Sequence, residues 1–314
     1  MDFDSEHHAK RDVISQSRLP LACWWNVLSL DAVTVAVLWQ AVFLLSFCDR
    51  LPEPHESFSL GAVVWLIYVA DRLLDGSRLN LSEPHLVRHR MHHDFARRWI
   101  IAWCLVLASA CAVVVAWLDA AIVRMGLMVG ASVMIYGAGV HFWPGDLPRR
   151  RMVGKEIQVG VIFAAGVSLI AWQESASWSL AFASVASAGL FTANCWLVAE
   201  RESTADQDFH ELSLGYRFRT VTVCVAVVVS AFLSWMTGWL PWLMAASLLV
   251  GVGFLSLTKL LWTRGEPQTR QYGRRSFGEG GRRPLFDAWV PMADWSLILS
   301  PLVCWAVVLS WDLI

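Results

Sequence analysis

The chain has 314 residues, of which 56% are hydrophobic and 16% are charged, and its formal net charge is −1. Soluble domains carry about a quarter charged residues, so this composition excludes an ordinary soluble domain. The near-zero net charge gives no sign of a nucleic-acid partner. Seven Cys are scattered through apolar segments without a CxxC pair. This pattern favours packing or lipid-facing roles over metal or redox chemistry.

Apolar residues fall into blocks of about 20 residues, the length that crosses a bilayer as an α-helix. We predict an all-α polytopic membrane protein with about nine transmembrane helices. Residues 1–19 form a polar cytosolic tail that lacks the apolar stretch of a cleaved signal peptide, and residues 20–314 form a single transmembrane domain. The third and fourth, fifth and sixth, and seventh and eighth helices have very short links and are predicted hairpins. The predicted helices are 20–47, 58–75, 99–118, 120–142, 155–173, 177–199, 219–237, 239–262 and 285–312.

The distribution of basic residues predicts the orientation of these helices, because cytosolic loops carry an excess of Lys and Arg. With the N-terminus in the cytosol and nine spans, only Arg50 and Arg124 of the 25 Lys and Arg lie outside the tail and the cytosolic loops. We therefore expect an integral protein of the bacterial inner membrane, with a cytosolic N-terminus and an outer C-terminus.

Two carboxylates four residues apart, Asp71 and Asp75, end the second apolar block on its cytosolic side. Residues at i and i+4 share a helix face, so the two charges repel each other, and a charge near a bilayer is costly. The pair is either a solvated helix end that Arg72 and Arg78 neutralise, or a magnesium site. Magnesium favours one or two carboxylates and is completed by water and by substrate phosphates.

A second acidic pair with the same spacing, Glu202 and Asp206, follows the sixth apolar block. It is either a plain acidic cytosolic loop or the partner of the first pair at a shared site. Asn194 lies deeper in the same block, where it either makes a helix–helix hydrogen bond or faces a ligand.

Four further polar residues within or beside apolar blocks are Lys155, Tyr136, Asp31 and Asp294. Lys155 either neutralises a diphosphate or anchors its helix on the positive side of the membrane. The hydroxyl of Tyr136 serves a ligand or a neighbouring backbone group. Asp31 is predicted near mid-bilayer. Intramembrane carboxylates face the bundle interior, where Asp31 and Asp294 line a substrate cavity or brace it.

The first acidic pair resembles part of a motif of the UbiA superfamily of intramembrane prenyltransferases. The family motif reads N-D-x-x-D-x-x-x-D. Asp71 and Asp75 match its last two carboxylates, whereas Ile67 and Tyr68 stand in place of the Asn and the first Asp.

The second motif of the family, D-x-x-x-D, resembles Glu202-x-x-x-Asp206, with Glu in place of the first Asp. The Tyr-x-x-x-Lys motif of the family has only loose counterparts here, Tyr136 and Lys155. The predicted topology resembles the family over nearly the whole chain. The chain is therefore identified as a divergent member.

The resemblance implies a helical bundle around a central cavity and a magnesium-dependent transfer of a prenyl group from a prenyl diphosphate to an unknown acceptor. The apolar chain of the substrate would lie among the helices, with its diphosphate at the cytosolic mouth between the two acidic pairs. The implied residues are Asp71 and Asp75 in catalysis, Asp71, Asp75, Glu202 and Asp206 as Mg²⁺ ligands, and Arg72, Lys155, Asn194, Tyr68, Tyr136 and Asp31 in substrate binding.

Two other functions stay open. The loss of two residues from the first motif is compatible with a non-catalytic membrane protein of the same fold that binds isoprenoid lipid or a partner protein. A transporter-like bundle is the third hypothesis, and its support is the pair of intramembrane carboxylates, Asp31 and Asp294.

Overall fold

The computed structural model of the chain describes residues 21–77, 87–141, 152–204, 210–273 and 291–311. All regular structure in these ranges is helical, and they contain no strand. The helices are α1 (Leu21–Val27), α2 (Leu30–Phe47), α3 (Pro54–Ser77), α4 (Val87–Asp94), α5 (Ala96–Trp117), α6 (Ala120–His141), α7 (Met152–Glu174), α8 (Trp178–Thr204), α9 (His210–Met236), α10 (Trp242–Gly273) and α11 (Pro291–Trp311).

Eight helices among the described residues, α2, α3 and α5 to α10, are long and apolar enough to cross a membrane. The helix α11 carries a shorter apolar stretch, Met292–Val307. These nine helices correspond to the nine predicted blocks. The prediction of an all-α polytopic membrane protein is confirmed.

Two of the three predicted hairpins are present, formed by α7 with α8 and by α9 with α10. The third is wrong as a tight hairpin, because α5 and α6 are joined by a short link but hardly contact each other. The turn after α9 shows how a local signal ends a helix. Gly238 has a φ of 72°, its N–H donates to the Trp235 carbonyl at 2.9 Å, and the Trp239 N–H donates to the Ser234 carbonyl at 2.8 Å. This is the Schellman pattern, in which a left-handed glycine lets the chain leave the helix.

The first predicted helix, 20–47, is wrong as a single helix, because the chain breaks between α1 and α2. Ser29 is buried and has a left-handed φ of 60°, a conformation that is uncommon for residues other than glycine. As a consequence Asp31 lies in the first turn of α2. Asp31 therefore does not lie about eleven residues into one continuous helix, the premise from which its position near mid-bilayer was predicted.

The core of the bundle surrounds α2 and α8. The helix α2 packs against α3, α7, α10 and α11, and α8 packs against α7, α9, α10 and α11. The Trp39 ring on α2 meets the Phe191 ring on α8 edge-on, at 5.2 Å between centroids, and the Trp39 Nε1 donates to the Leu297 carbonyl on α11 at 3.1 Å. A buried indole in such a site gains both packing and a partner for its N–H.

Two peripheral helices diverge from each other. The helix α5 packs against α3, and α6 packs against α7, but α5 and α6 make only sparse contact with each other. Because they are joined by two residues, Leu118 and Asp119, they meet at one end of the bundle and separate toward the other. Their neighbours α3 and α7 both pack on α2. The end of the bundle where α3 ends and α7 begins is here named the Asp71 end.

Candidate functional site

Polar side chains from several helices meet at the Asp71 end. Asp71 and Asp75 are exposed in the last two turns of α3. Tyr136, near the end of α6, lies within electrostatic range of both carboxylates, and also of Glu156 on α7 and Cys195 on α8. The structure therefore brings together Tyr136 and the Asp71–Asp75 pair, which are about 60 residues apart in the sequence.

Tyr68 lies one turn deeper than Asp71 on α3 and packs against the core. It is within electrostatic range of Asp294, Asp31 and Arg72, and of Cys195. Four of the predicted site residues, including Tyr68, thus surround one buried region between α2, α3, α8 and α11.

Arg72 is buried and holds the end of α1. Its Nη1 donates to the carbonyl oxygens of Asn26 and of Val27, the latter at 3.0 Å. The last carbonyls of a helix have no partner within the helix, so a guanidinium from α3 that satisfies two of them fixes α1 against α3. A guanidinium has several N–H donors, so Arg72 can hold α1 and still contact a phosphate. The predicted phosphate contact of Arg72 therefore stays a prediction.

Two Asn–Asp pairs line the buried region. The Asn26 side-chain amide donates to the Asp31 carboxylate, which also accepts the Ala32 N–H at 2.9 Å. The Asn194 Nδ2 donates to the Asp294 Oδ1 at 2.9 Å. The buried Asn194 Oδ1 finds no hydrogen-bond partner among the described residues. A buried acceptor without a partner is costly, and a donor from a ligand would satisfy it.

A second polar group begins α7 beside the carboxylate pair. Lys155 is exposed in the first turn of α7. Glu156 makes a side-chain hydrogen bond with Tyr216 on α9 and lies within electrostatic range of Lys155 and Arg219. Glu156, Cys195, Tyr216 and Arg219 were not predicted as site residues. Their signal in the sequence is weak, because only the packing of α7 against α8, and of α8 against α9, shows that they adjoin.

The charges of this site leave an acidic excess. Within the described part of the chain it holds the carboxylates of Asp71, Asp75, Asp31, Asp294 and Glu156, and the cations of Arg72, Lys155 and Arg219. Such an excess favours a ligand that brings positive charge, and a divalent cation that carries a phosphate is one such ligand.

The predicted magnesium set is described only in part. Glu202 lies in the last turns of α8 with its side chain outside the described residues, and Asp206 lies outside them altogether. Among the described residues, no group of three or more His, Cys, Asp or Glu could hold a metal ion. Asp71 and Asp75 alone supply the one or two carboxylates that Mg²⁺ usually takes from a protein, so the residues present fit the ion.

Comparison of the chain with protein-family models, with curated proteins and with solved structures finds no match.

Proposed function

We propose that the chain is an integral membrane prenyltransferase that uses Mg²⁺ to transfer a prenyl group from a prenyl diphosphate to an acceptor. The observation that carries the proposal is the position of the exposed Asp71–Asp75 pair, within electrostatic range of Tyr136, at one end of a bundle of apolar helices. A prenyl diphosphate has the same polarity, with an apolar chain and a charged head that binds metal. The partial resemblance of Asp71, Asp75, Glu202 and Asp206 to the UbiA motifs supports the same function.

In this proposal, Asp71, Asp75, Glu202 and Asp206 hold the metal, and Lys155 contacts the diphosphate. Bound Mg²⁺ would neutralise negative charge on the leaving diphosphate. The bond between the allylic carbon and the diphosphate oxygen breaks, and its electron pair leaves with the diphosphate. The acceptor then donates an electron pair to the allylic carbon and loses a proton.

The aromatic rings of Tyr68 and Tyr136 stand near the place where the allylic cation would form. Aromatic faces attract cations, an effect that strengthens when water is excluded. The carboxylates of Asp31 and Asp294 lie within electrostatic range of Tyr68, and the Asn194 side chain donates to Asp294. In this proposal these polar groups bind the acceptor.

The test is turnover of labelled prenyl diphosphates of several chain lengths by the purified protein, with and without Mg²⁺. We expect Asp71→Asn to lower turnover by about 100-fold or more, the usual effect of losing a group that stabilises transition-state charge. Asp119→Asn is the matched control, because Asp119 is exposed in the link at the opposite end. Turnover that does not need Mg²⁺, or that Asp71→Asn leaves unchanged, would contradict the proposal.

The second candidate is a non-catalytic protein of the same fold that binds isoprenoid lipid or a partner protein. The observation that favours it is the packing of Tyr68 against the core, at the position where the family motif has a carboxylate. Saturable binding of a prenyl diphosphate without turnover of any chain length would support this candidate over the first.

A further inference from the structure

A separate groove lies on the outer surface of the bundle between α9 and α10. Its volume is about 290 Å³, and Leu197 on α8 forms part of its lining. Most of the lining is aliphatic, including Val225 and Val228 on α9 and Val252 on α10. The groove shares no residue with the candidate site. Its occupant therefore does not depend on the proposed function.

The polarity of the groove changes along its length. The helices α9 and α10 are antiparallel, so Thr220, early in α9, and Lys259, late in the span of α10, lie at the same end of the groove. The Thr220 hydroxyl donates to the Tyr216 carbonyl at 2.8 Å. The other end is lined by aliphatic residues such as Val229 and Val252. This order, polar at one end and apolar beyond it, is that of a lipid in one leaflet.

The length of the groove fits the same ligand. The stretch from Val221 to Val229 on α9 lines it, which corresponds to about 12 Å of helix axis. The hydrocarbon core of one leaflet is about 15 Å deep. An acyl chain that lies in the groove would therefore run along most of the depth of its leaflet.

In the described part of the chain, basic side chains lie at the polar end of the groove. The Lys259 Nζ makes an ion pair with the Glu200 Oε2 at 3.0 Å, which leaves that pair neutral. Arg217 is exposed and lies on the same face of α9 as Val221 and Val228, four and eleven residues further on. Arg217 thus adds a positive charge beside the pair, where basic side chains attract anionic head groups.

We propose that this groove binds one acyl chain of an anionic glycerophospholipid, with the head group at Arg217 and Lys259. The aliphatic walls hold the chain, and the basic end selects the head group. The site is a structural lipid site on α8, α9 and α10, distinct from the candidate site at the Asp71 end.

The test uses protein reconstituted in phosphatidylcholine vesicles that contain a trace of phosphatidylglycerol with a photoreactive group in its acyl chain. After irradiation, we expect cross-links to concentrate on residues 221–229, and unlabelled phosphatidylglycerol to compete much better than phosphatidylcholine. Arg217→Gln should lower the preference for phosphatidylglycerol by about fivefold, the effect of one basic side chain at an anionic surface. Equal competition by the two lipids would overturn the head-group assignment.

Two tryptophan variants test the groove itself. Val225 and Val229 line it and are 56% and 51% exposed, so Val225→Trp and Val229→Trp fill the groove without entering the core. We expect each to lower the cross-link yield on α9 at least fivefold. Val185→Trp on α8, at a position 73% exposed and outside the lining, is the control and should leave the yield unchanged.

Two results would overturn the proposal. One is an equal loss of yield in Val185→Trp, which would mean general contact with the surrounding lipid. The other is better competition by a prenyl alcohol than by phosphatidylglycerol, which would make the occupant an isoprenoid. A thermal unfolding scan of each variant confirms that the comparison is made on folded protein.

Discussion

Arg50 joins three helices at the end of the bundle opposite the Asp71 end. Its Nη1 and Nη2 donate to the two oxygens of Glu56 on α3 at 2.9 and 2.8 Å, and its Nε donates to Glu174 on α7 at 3.1 Å. The hydrogen bonds that Arg50 donates to these two carboxylates raise its pKa, so the guanidinium stays charged. This role explains why Arg50 lies outside the predicted cytosolic loops, where nearly all the other basic residues are found.

We expect Arg50→Met to destabilise the protein by about 1–3 kcal/mol, the cost of a buried polar group that loses its partner, because Glu56 is buried. The stability of Arg50→Lys should fall between that of Arg50→Met and that of the wild type, because lysine keeps the charge and loses the planar fork of donors. The measurement is the thermal unfolding midpoint by circular dichroism in detergent. Glu53→Gln is the control, since the Glu53 side chain is 64% exposed. An unchanged midpoint for Arg50→Met would contradict the prediction.

Cys48 adjoins the same cluster. Burial and then the neighbouring Glu174 carboxylate raise the pKa of Cys48 to about 11. The thiolate is the reactive form, so a raised pKa means slow alkylation at neutral pH. In a variant with Cys48 as its only cysteine, we expect the alkylation rate to rise about tenfold per pH unit up to about pH 11.

The control for Cys48 is Glu53→Cys in a chain without other cysteines, because this exposed thiol should reach its full rate near its ordinary pKa, about 8.5. A Cys48 rate that levels off together with that of the control would show that its pKa is ordinary. Such a result would also remove Glu174 as an electrostatic neighbour of the thiol.

At the scale of elements, the hairpins of α7 with α8 and of α9 with α10 could be predicted from the sequence. The break between α1 and α2 could not. Gly238 and the short links are local signals that end helices. Near Ser29 the chain has no Gly or Pro, and Asn26, Ser29 and Asp31 are single polar residues in an otherwise apolar stretch. The break is held by Arg72, more than 40 residues away, which donates to the α1 carbonyls. A contact so distant along the chain leaves no trace in local hydropathy.

The close approach of α7 and α8 depends on a glycine. A Cβ at Gly160 would lie 2.8 Å from the Ala188 carbonyl oxygen and 2.8 Å from the Thr192 backbone nitrogen, and closer still to the Thr192 hydroxyl. Backbone atoms cannot move aside as a flexible side chain can. We therefore expect Gly160→Ala to destabilise the protein by about 1–3 kcal/mol, as overpacking does, measured by the same thermal scan.

Gly154→Ala on the same helix is the matched control. Its Cβ would meet nothing within 4 Å, and alanine favours a helix over glycine by about 0.5–1 kcal/mol. The control should therefore equal the wild type or exceed it slightly. If the two variants unfold at the same temperature, the contact between α7 and α8 at Gly160 is looser than the structure indicates.

At the scale of the whole molecule, alternation of helix direction brings helix ends together. Asp71, Asp75, Tyr136 and Lys155 were predicted at ends on one side of the membrane, and the electrostatic contacts of Tyr136 place three of these helix ends side by side. The partners of these residues could not be predicted. The hydrogen bond between Glu156 and Tyr216 requires knowing that α7 and α9 adjoin at this end, which helical periodicity does not show.

The orientation of the bundle in the membrane is a further prediction, because the predicted topology assigns almost all the basic residues to the side of the Asp71 end and this side should be cytosolic. In a cysteine-free chain, we expect a membrane-impermeant maleimide to label Asp119→Cys and Ala176→Cys in intact cells. Both positions lie in exposed links at the opposite end. Ser77→Cys, at the exposed end of α3, should be labelled only after the membrane is made permeable.

The three positions separate the ways in which this prediction could fail. The reverse pattern, with Ser77→Cys labelled first, would keep the number of spans and invert the orientation. Labelling of Asp119→Cys without Ala176→Cys would instead mean an odd number of crossings between these two positions, so that either α6 or α7 does not span, and the charge asymmetry would then lose its meaning. Denatured samples of all three variants provide the control, since each must react fully once the chain is unfolded.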